Sequence, residues 1–270
     1  MSTTPDPLTI VLLVTICLVL GEMLRAFSSG DLLAPPQPRR RLEFDWAVLA
    51  VAGVFILLSL IPAVAMLFPG AQTAEKAAEP TPTLRLGAAI VEKFFVIGAL
   101  LVIMLTRQKN RLTDYGIDFR GFLAEVRYGG LGLLACLPFV IVIMAILGHW
   151  RRPETQNPLL ILLHESGNES TIVQAVFVAA VAAPLAEELL FRVAFQGNLE
   201  ARLSAWWAVG IPAVIFPAVH GIYDALPLLP LAITLGVLYH RRRSYVAVVT
   251  THALFNALFL ALTLWPRQVS

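Results

Sequence analysis

Long apolar stretches of membrane-spanning length recur along almost the whole chain. A transmembrane helix needs roughly 20 consecutive apolar residues, because it must cross about 30 Å of hydrocarbon at about 1.5 Å per residue. Eight stretches reach or approach this length: residues 8–26, 46–68, 86–106, 121–148, 171–196, 205–220, 226–240 and 245–265. The sixth and seventh are the shortest. The sequence therefore predicts an all-α fold, a polytopic transmembrane helix bundle of about eight spans.

The composition is typical of a protein that is embedded in a bilayer. Hydrophobic residues make up 58% of the chain and charged residues only 14%, whereas soluble domains are about 45–50% apolar and about 25% charged. The formal net charge is +2, with both signs thinly spread, so the basic surface that nucleic acid requires is missing. We expect an integral, multi-pass membrane protein that contacts the lipid bilayer and does not bind nucleic acid.

Lysines and arginines concentrate in alternate connections between the predicted spans. Odd-numbered connections hold twelve of them and even-numbered connections hold four. Because cytoplasmic loops are enriched in Lys and Arg, the odd connections are predicted to be cytoplasmic and both termini to lie outside. The N-terminal run lacks the basic region and the small-residue cleavage site of a signal peptide, so we interpret it as a retained span. The twelve residues are Arg25, Arg39, Arg40, Arg41, Arg107, Lys109, Arg111, Arg120, Arg202, Arg241, Arg242 and Arg243.

The spans divide into two groups. Residues 1–120 form N-terminal transmembrane helices with their connecting loops, and residues 121–270 form a C-terminal bundle that carries the polar motifs described next. We find no internal repeat and no separate soluble domain. Cys17 and Cys136 both lie in apolar runs, which favours buried thiols over a disulfide. Neither has a second ligand at metal-binding spacing, which argues against a cysteine metal site.

Three charged residues interrupt the otherwise apolar run of residues 171–195. They are Glu187, Glu188 and Arg192, in an EExxxR pattern. Placing a charge at the centre of a bilayer costs about 2.5–3.5 kcal/mol on insertion scales, so such groups are rare and generally mark a functional site. Two further polar motifs follow on later spans: an FxxxH pattern that ends at His220, and an HxxxN pattern formed by His252 and Asn256.

Helical geometry predicts how these groups are arranged. Glu188 and Arg192 are four residues apart, so they share a face and can pair, while Glu187 points about 100° away from Glu188. If the fifth and sixth spans form a hairpin, Glu187 and His220 are each about 16 residues from the turn and meet at a similar depth. His252 and Asn256 share one face of the last span. We therefore expect the motifs to converge in one cavity.

Such a convergence suits two kinds of chemistry. A carboxylate and a histidine can hold and deprotonate a water molecule, and a second histidine with an amide can stabilise an oxyanion. Together these groups would hydrolyse an amide bond in the membrane. The same Glu/His/His set could instead bind a divalent metal such as zinc. A metal-free mechanism is equally compatible with these residues, and the sequence leaves both alternatives open.

The three motifs, in this order and spacing, resemble the CPBP family, which comprises the CAAX prenyl proteases and bacteriocin-processing proteins and is also called the abortive-infection family. The resemblance covers roughly residues 171–265, and residues 112–122 show a weaker similarity to the family. It implies an intramembrane endopeptidase of about eight spans, acting on a peptide or protein that is lipidated or membrane-bound. The location it implies is the bacterial cell membrane. Because His252 lies about nine residues from Arg243, in a predicted cytoplasmic connection, we expect the active site to face the cytoplasm.

The resemblance also implies a role for each motif residue. The family site has a catalytic glutamate, a water-activating histidine, an oxyanion-binding pair and a supporting pair, which correspond here to Glu187, His220, His252 with Asn256, and Glu188 with Arg192.

Other readings of the same residues stay open. A non-catalytic scaffold or bacteriocin-immunity protein could use the polar cavity for binding, and a transporter would also carry buried carboxylates, although the paired interrupted helices of transporters are missing. The chain contains no HExxH zinc motif and no GxSxG nucleophile motif. Glu92 and Lys93, in the third predicted span, are interpreted as packing or rim groups.

Overall fold

The computed structural model of the protein describes residues 40–65, 81–148 and 168–264. Seven helices run through these residues, and all seven coincide with predicted spans. The predicted span at 8–26, which includes Cys17, lies outside the described residues. The helices are α1 (Trp46–Ala65), α2 (Pro82–Arg107), α3 (Phe122–Gly148), α4 (Glu169–Glu200), α5 (Ala205–Ala218), α6 (Ile222–Arg242) and α7 (Tyr245–Leu264).

Five of these helices, α1, α2, α3, α4 and α7, are long and apolar enough to cross a membrane. α5 has 14 residues and is therefore only about 21 Å long, short of the roughly 30 Å that a span requires. α6 has 21 residues, but its last turn holds His240, Arg241 and Arg242. α5 and α6 pack along one another. They form a hairpin whose turn lies part-way through the bundle instead of at its far surface.

The second half of α4 is the centre of the bundle. It packs against α1, α2, α5, α6 and α7, and nearly every side chain from Leu189 to Gln196 is buried. Two stretches of α4, Val178–Ala182 and Leu189–Gln196, are wound as π-helix. π-helical turns are uncommon and occur frequently at functional sites. In this chain they lie on either side of Glu187 and Glu188.

α7 approaches α3 closely because α3 presents glycine at the contact. A Cβ atom added to Gly129 would lie 2.5 Å from the Cβ of Thr250, and one added to Gly132 would lie 2.6 Å from Oγ1 of Thr251. The Thr251 hydroxyl also donates a hydrogen bond to the Gly129 carbonyl at 2.8 Å. Small residues that allow backbones to approach are characteristic of helix pairs in membranes. This contact fixes the position of His252, the next residue on α7.

Ion pairs join the helices at the end of the bundle where the basic residues gather. Arg242 at the end of α6 binds Glu125 of α3 through two contacts, of 2.8 and 3.2 Å, and its guanidinium stacks over the Tyr128 ring. Glu200 at the end of α4 accepts contacts from His240 at 3.2 Å and Arg243 at 3.3 Å. Apolar side chains remain exposed along the outer faces of the helices, as a surface that faces lipid requires.

Candidate active site

Glu187 lies at the meeting point of two histidines from other elements. Its Oε2 atom is 3.6 Å from Nε2 of His220 and 4.0 Å from Nε2 of His252. His220 follows the end of α5, in the turn before α6. Because α5 is short, that turn reaches the depth of Glu187. The structure thus confirms the expectation that these groups from three separate segments come together.

Both histidines turn the same ring nitrogen toward Glu187. Nδ1 of His220 is 2.8 Å from the Phe216 carbonyl, and Nδ1 of His252 is 2.8 Å from Oε1 of Glu188. A carbonyl and a carboxylate can only accept, so each Nδ1 carries the proton that it donates. In the neutral rings, Nε2 then presents a lone pair to the lone pairs of Glu187. Three acceptors facing one another require a proton donor among them, and a water molecule can supply two O–H groups.

Glu188 and Arg192 form the ion pair that their spacing predicts. Nε of Arg192 is 3.2 Å from Oε2 of Glu188, and both side chains are completely buried. The guanidinium carbon of Arg192 also lies 5.1 Å from the centre of the Phe216 ring. Glu188 does more than neutralise Arg192, because its other oxygen, Oε1, accepts the hydrogen bond from His252. The sequence suggested a supporting pair but gave no sign that Glu188 orients this histidine.

Asn256 forms its contact with the backbone of α4. Its Nδ2 donates a hydrogen bond of 2.7 Å to the carbonyl of Ala179. That carbonyl has lost its helical donor: the Ala183 N–H bonds to Val178 instead, and Pro184 has no N–H to offer. Asn256 therefore supplies the hydrogen-bond donor that the π-turn and the proline have removed from the Ala179 carbonyl. The amide nitrogen has two hydrogens, so this bond leaves one of them for another acceptor.

We expect the bond between Asn256 and Ala179 to be coupled to Pro184. Replacing Asn256 by alanine leaves the Ala179 carbonyl without a donor and should lower the free energy of unfolding by about 1–3 kcal/mol. In a Pro184→Ala background, residue 184 has a backbone N–H that can donate to the Ala179 carbonyl. Asn256→Ala should therefore lower the free energy of unfolding by less in that background. Thermal unfolding of the four proteins in detergent gives this double-mutant cycle. Strictly additive losses would contradict the coupling.

Lys93 of α2 contacts the other oxygen of the same carboxylate. Its Nζ is 3.5 Å from Oε1 of Glu187 and 3.6 Å from Oε1 of Glu92. The Lys93 side chain is 22% exposed, against 60% for Glu92. Lys93, which the sequence suggests is a packing or rim group, thus lies in direct contact with the carboxylate of Glu187. Sequence spacing could not reveal the contact, because it depends on how α2 is rotated against α4.

A cavity of about 580 Å³ opens beside these groups. Its walls come from α1, α2, α4 and the turn after α5. This volume lies within the range of sites that hold small molecules or a few residues of a chain. The walls are mainly apolar, including Phe55, Leu58, Phe95, Leu190 and Phe191, while polar groups come from Ser59, Glu92, Lys93, Glu187 and His220. An extended, apolar ligand can therefore lie against the carboxylate.

The residues around Glu187 give little support for a metal centre. Among residues 40–65, 81–148 and 168–264, no group of three or more His, Cys, Asp or Glu side chains is arranged to hold a metal ion. One oxygen of Glu187 is also engaged by the Lys93 ammonium. We therefore derive no catalytic step that passes through a metal.

The comparison with known proteins agrees with this geometry. A family model described as "Type II CAAX prenyl endopeptidase Rce1-like" matches residues 169–258. That segment begins at the first residue of α4 and ends within α7, and it contains all six motif residues. This segment is similar to the Rce1-like family. No curated protein and no solved structure matches the chain significantly. The match covers about a third of the 270-residue chain, and Lys93 lies outside the matched segment.

Proposed function

We propose that this Rce1-like protein is an intramembrane endopeptidase that hydrolyses a peptide bond with water activated by Glu187 and His220. The observation that carries the proposal is the convergence of Oε2 of Glu187 with Nε2 of His220 and Nε2 of His252 beside the cavity. The similarity of residues 169–258 to an endopeptidase family supports the same reaction.

In the proposed reaction, a water molecule donates hydrogen bonds to Glu187 and His220. Its oxygen attacks the carbonyl carbon as Glu187 takes one of its protons, and a tetrahedral oxyanion forms. When the C–N bond breaks, that proton passes to the leaving amine, and the second water hydrogen stays with the new carboxyl group. No oxidant, reductant or other co-reactant is needed.

His252 and Asn256 are proposed to stabilise the oxyanion. Because Nδ1 of His252 already donates to Glu188, its Nε2 can donate only in the doubly protonated ring. Because Glu188 is already paired with Arg192, the developing oxyanion itself would balance that positive charge. The second N–H of Asn256, which the Ala179 bond leaves over, is the other proposed donor. Preorganised donors of this kind act where negative charge develops in the transition state.

The substrate is proposed to be a membrane-bound peptide with apolar residues near the cleaved bond, as the mainly apolar cavity favours. The family description names a prenyl endopeptidase, so a farnesylated peptide and its unmodified counterpart are the first pair to compare. Purified protein in proteoliposomes should cleave a peptide from this pair, and in H₂¹⁸O the new carboxyl group should gain one ¹⁸O. If neither peptide nor a broader membrane-peptide set is cleaved, the scaffold alternative is favoured.

We further propose that the basic end of the bundle faces the cytoplasm, with the site reached from that side. The Lys and Arg distribution supports this orientation, and His252 lies about 11 Å along α7 from its start at that end. In a protein without Cys17 and Cys136, Arg120→Cys should resist an impermeant maleimide added to intact cells, while Glu169→Cys should react. The reverse labelling pattern would contradict the orientation.

A further inference from the structure

We propose that Lys93 is a positioning residue that holds one oxygen of Glu187, so that the other oxygen is presented to the two histidines and the attacking water. This inference rests on the proposed function and extends it to a helix outside the family match. The two oxygens have separate partners: Oε1 faces Lys93 at 3.5 Å, whereas Oε2 faces His220 at 3.6 Å and His252 at 4.0 Å.

The geometry explains why a positioning group is needed. A glutamate side chain has three rotatable bonds, and Glu187 borders a cavity in which the carboxylate could turn away from the histidines. An ammonium at Oε1 restricts that rotation and leaves Oε2 to the histidines. Orientation of reacting groups accounts for a large part of enzymatic rate, and small displacements are costly. Lys93 reaches Glu187 from α2, whose position against α4 is fixed by packing of the two helices.

The charges give an independent reason for the pair. Glu188 has Arg192 as its buried counter-charge, and Arg192 cannot turn to serve Glu187 without leaving Glu188. Glu187 needs a cation of its own, because an uncompensated carboxylate at this depth is costly. Lys93 lies about 17 Å along α2 from Pro82, near the middle of this 26-residue helix. Its second partner, Glu92, is mostly exposed and is the less constrained of the two carboxylates.

Site-directed variants test the role by separating charge from shape. Lys93→Met keeps the length of the side chain but removes its charge, and kcat should fall at least about tenfold while KM changes less than about threefold. Lys93→Arg keeps the charge and should recover activity to within about threefold of the wild type. Lys109→Met is the matched control, because it makes the same change at an exposed lysine that does not line the cavity. It should cleave at close to the wild-type rate.

A chemical experiment makes the test independent of folding. The chain has three lysines, Lys76, Lys93 and Lys109, so the Lys76→Arg/Lys109→Arg protein carries Lys93 alone. Acetylating this protein after purification neutralises the ammonium in an already folded molecule, and mass spectrometry reports the modified fraction. Activity should fall in proportion to that fraction. A protein in which Lys93 is also replaced by arginine should survive the same treatment.

The outcomes distinguish this inference from the proposed function. If the wild type cleaves no peptide, the proposed function fails before Lys93 is tested. If the wild type cleaves and both Lys93→Met and the acetylated protein cleave equally well, the positioning role is overturned. A rise in KM with unchanged kcat would also overturn it, because it would make Lys93 a substrate contact. Loss of activity that Lys93→Arg restores, with kcat as the affected constant, supports it.

Discussion

Replacing Glu187 by glutamine is expected to abolish peptide hydrolysis while leaving the fold intact. Glutamine has nearly the same shape, but its amide cannot take a proton from water at neutral pH. General-base catalysis contributes about 10²–10⁴-fold to rate, so kcat should fall by at least about 100-fold. The measurement is single-turnover cleavage of the farnesylated peptide in proteoliposomes, beside thermal unfolding of the same preparation. The unfolding temperature should fall much less than in Glu188→Ala, since Lys93 keeps Glu92 as a second carboxylate partner.

Glu43→Gln is the matched control for this prediction. It makes the same chemical change in an exposed carboxylate that pairs with Arg40 and does not line the cavity. Wild-type turnover by Glu187→Gln would reject the catalytic role. If that variant instead lost turnover but retained its physiological effect in cells, a scaffold would explain the biology better than hydrolysis.

The sequence predicted the elements and their local pairings well. Hydrophobic length located α1 to α7, and the four-residue spacing of Glu188 and Arg192 predicted a pair that the structure confirms. Counting residues from a hairpin turn also placed Glu187 and His220 at one depth. These inferences succeed because helical rise and rotation are local properties, fixed by 1.5 Å and about 100° per residue.

The contacts between helices could not be predicted in the same way. Lys93 and Glu187 are far apart in sequence, and only the rotation of α2 against α4 decides whether they meet. The bond between Asn256 and Ala179 depends on a π-turn that removes a helical donor, and sequence periodicity does not signal π-turns. The short α5 is a further example, because an apolar stretch of 16 residues predicted a span, whereas the helix returns part-way through the bundle.

The site is organised around two carboxylates with different surroundings. Glu188 is fully buried and divides its oxygens between Arg192 and His252, so it serves as a fixed support. Glu187 is 15% exposed at the cavity and divides its oxygens between Lys93 and the histidines. Each acid thus has its own cation. Of the two acids, Glu187 borders the cavity and has the chemical role, while Glu188 has the structural role.

Removing the fixed carboxylate should therefore be the most destabilising single change in the site. Glu188→Ala leaves the Arg192 guanidinium buried without its counter-charge, and breaking a buried ion pair by removing one partner costs about 3–5 kcal/mol. It also removes the acceptor of the His252 hydrogen bond. We expect a large drop in the unfolding temperature in detergent, a lower yield of folded protein, and loss of cleavage in whatever fraction folds.

The control for Glu188→Ala is the same substitution in an exposed ion pair. Glu43 binds Arg40 at 2.8 Å, with both side chains more than half exposed, and such pairs contribute at most about 1 kcal/mol. Glu43→Ala should therefore leave yield and unfolding temperature nearly unchanged. Combining Glu188→Leu with Arg192→Met removes both charges, and it should restore part of the stability that Glu188→Ala loses without restoring cleavage. Normal stability of Glu188→Ala would mean that Arg192 does not depend on this carboxylate, and it would contradict the division of roles between the two acids.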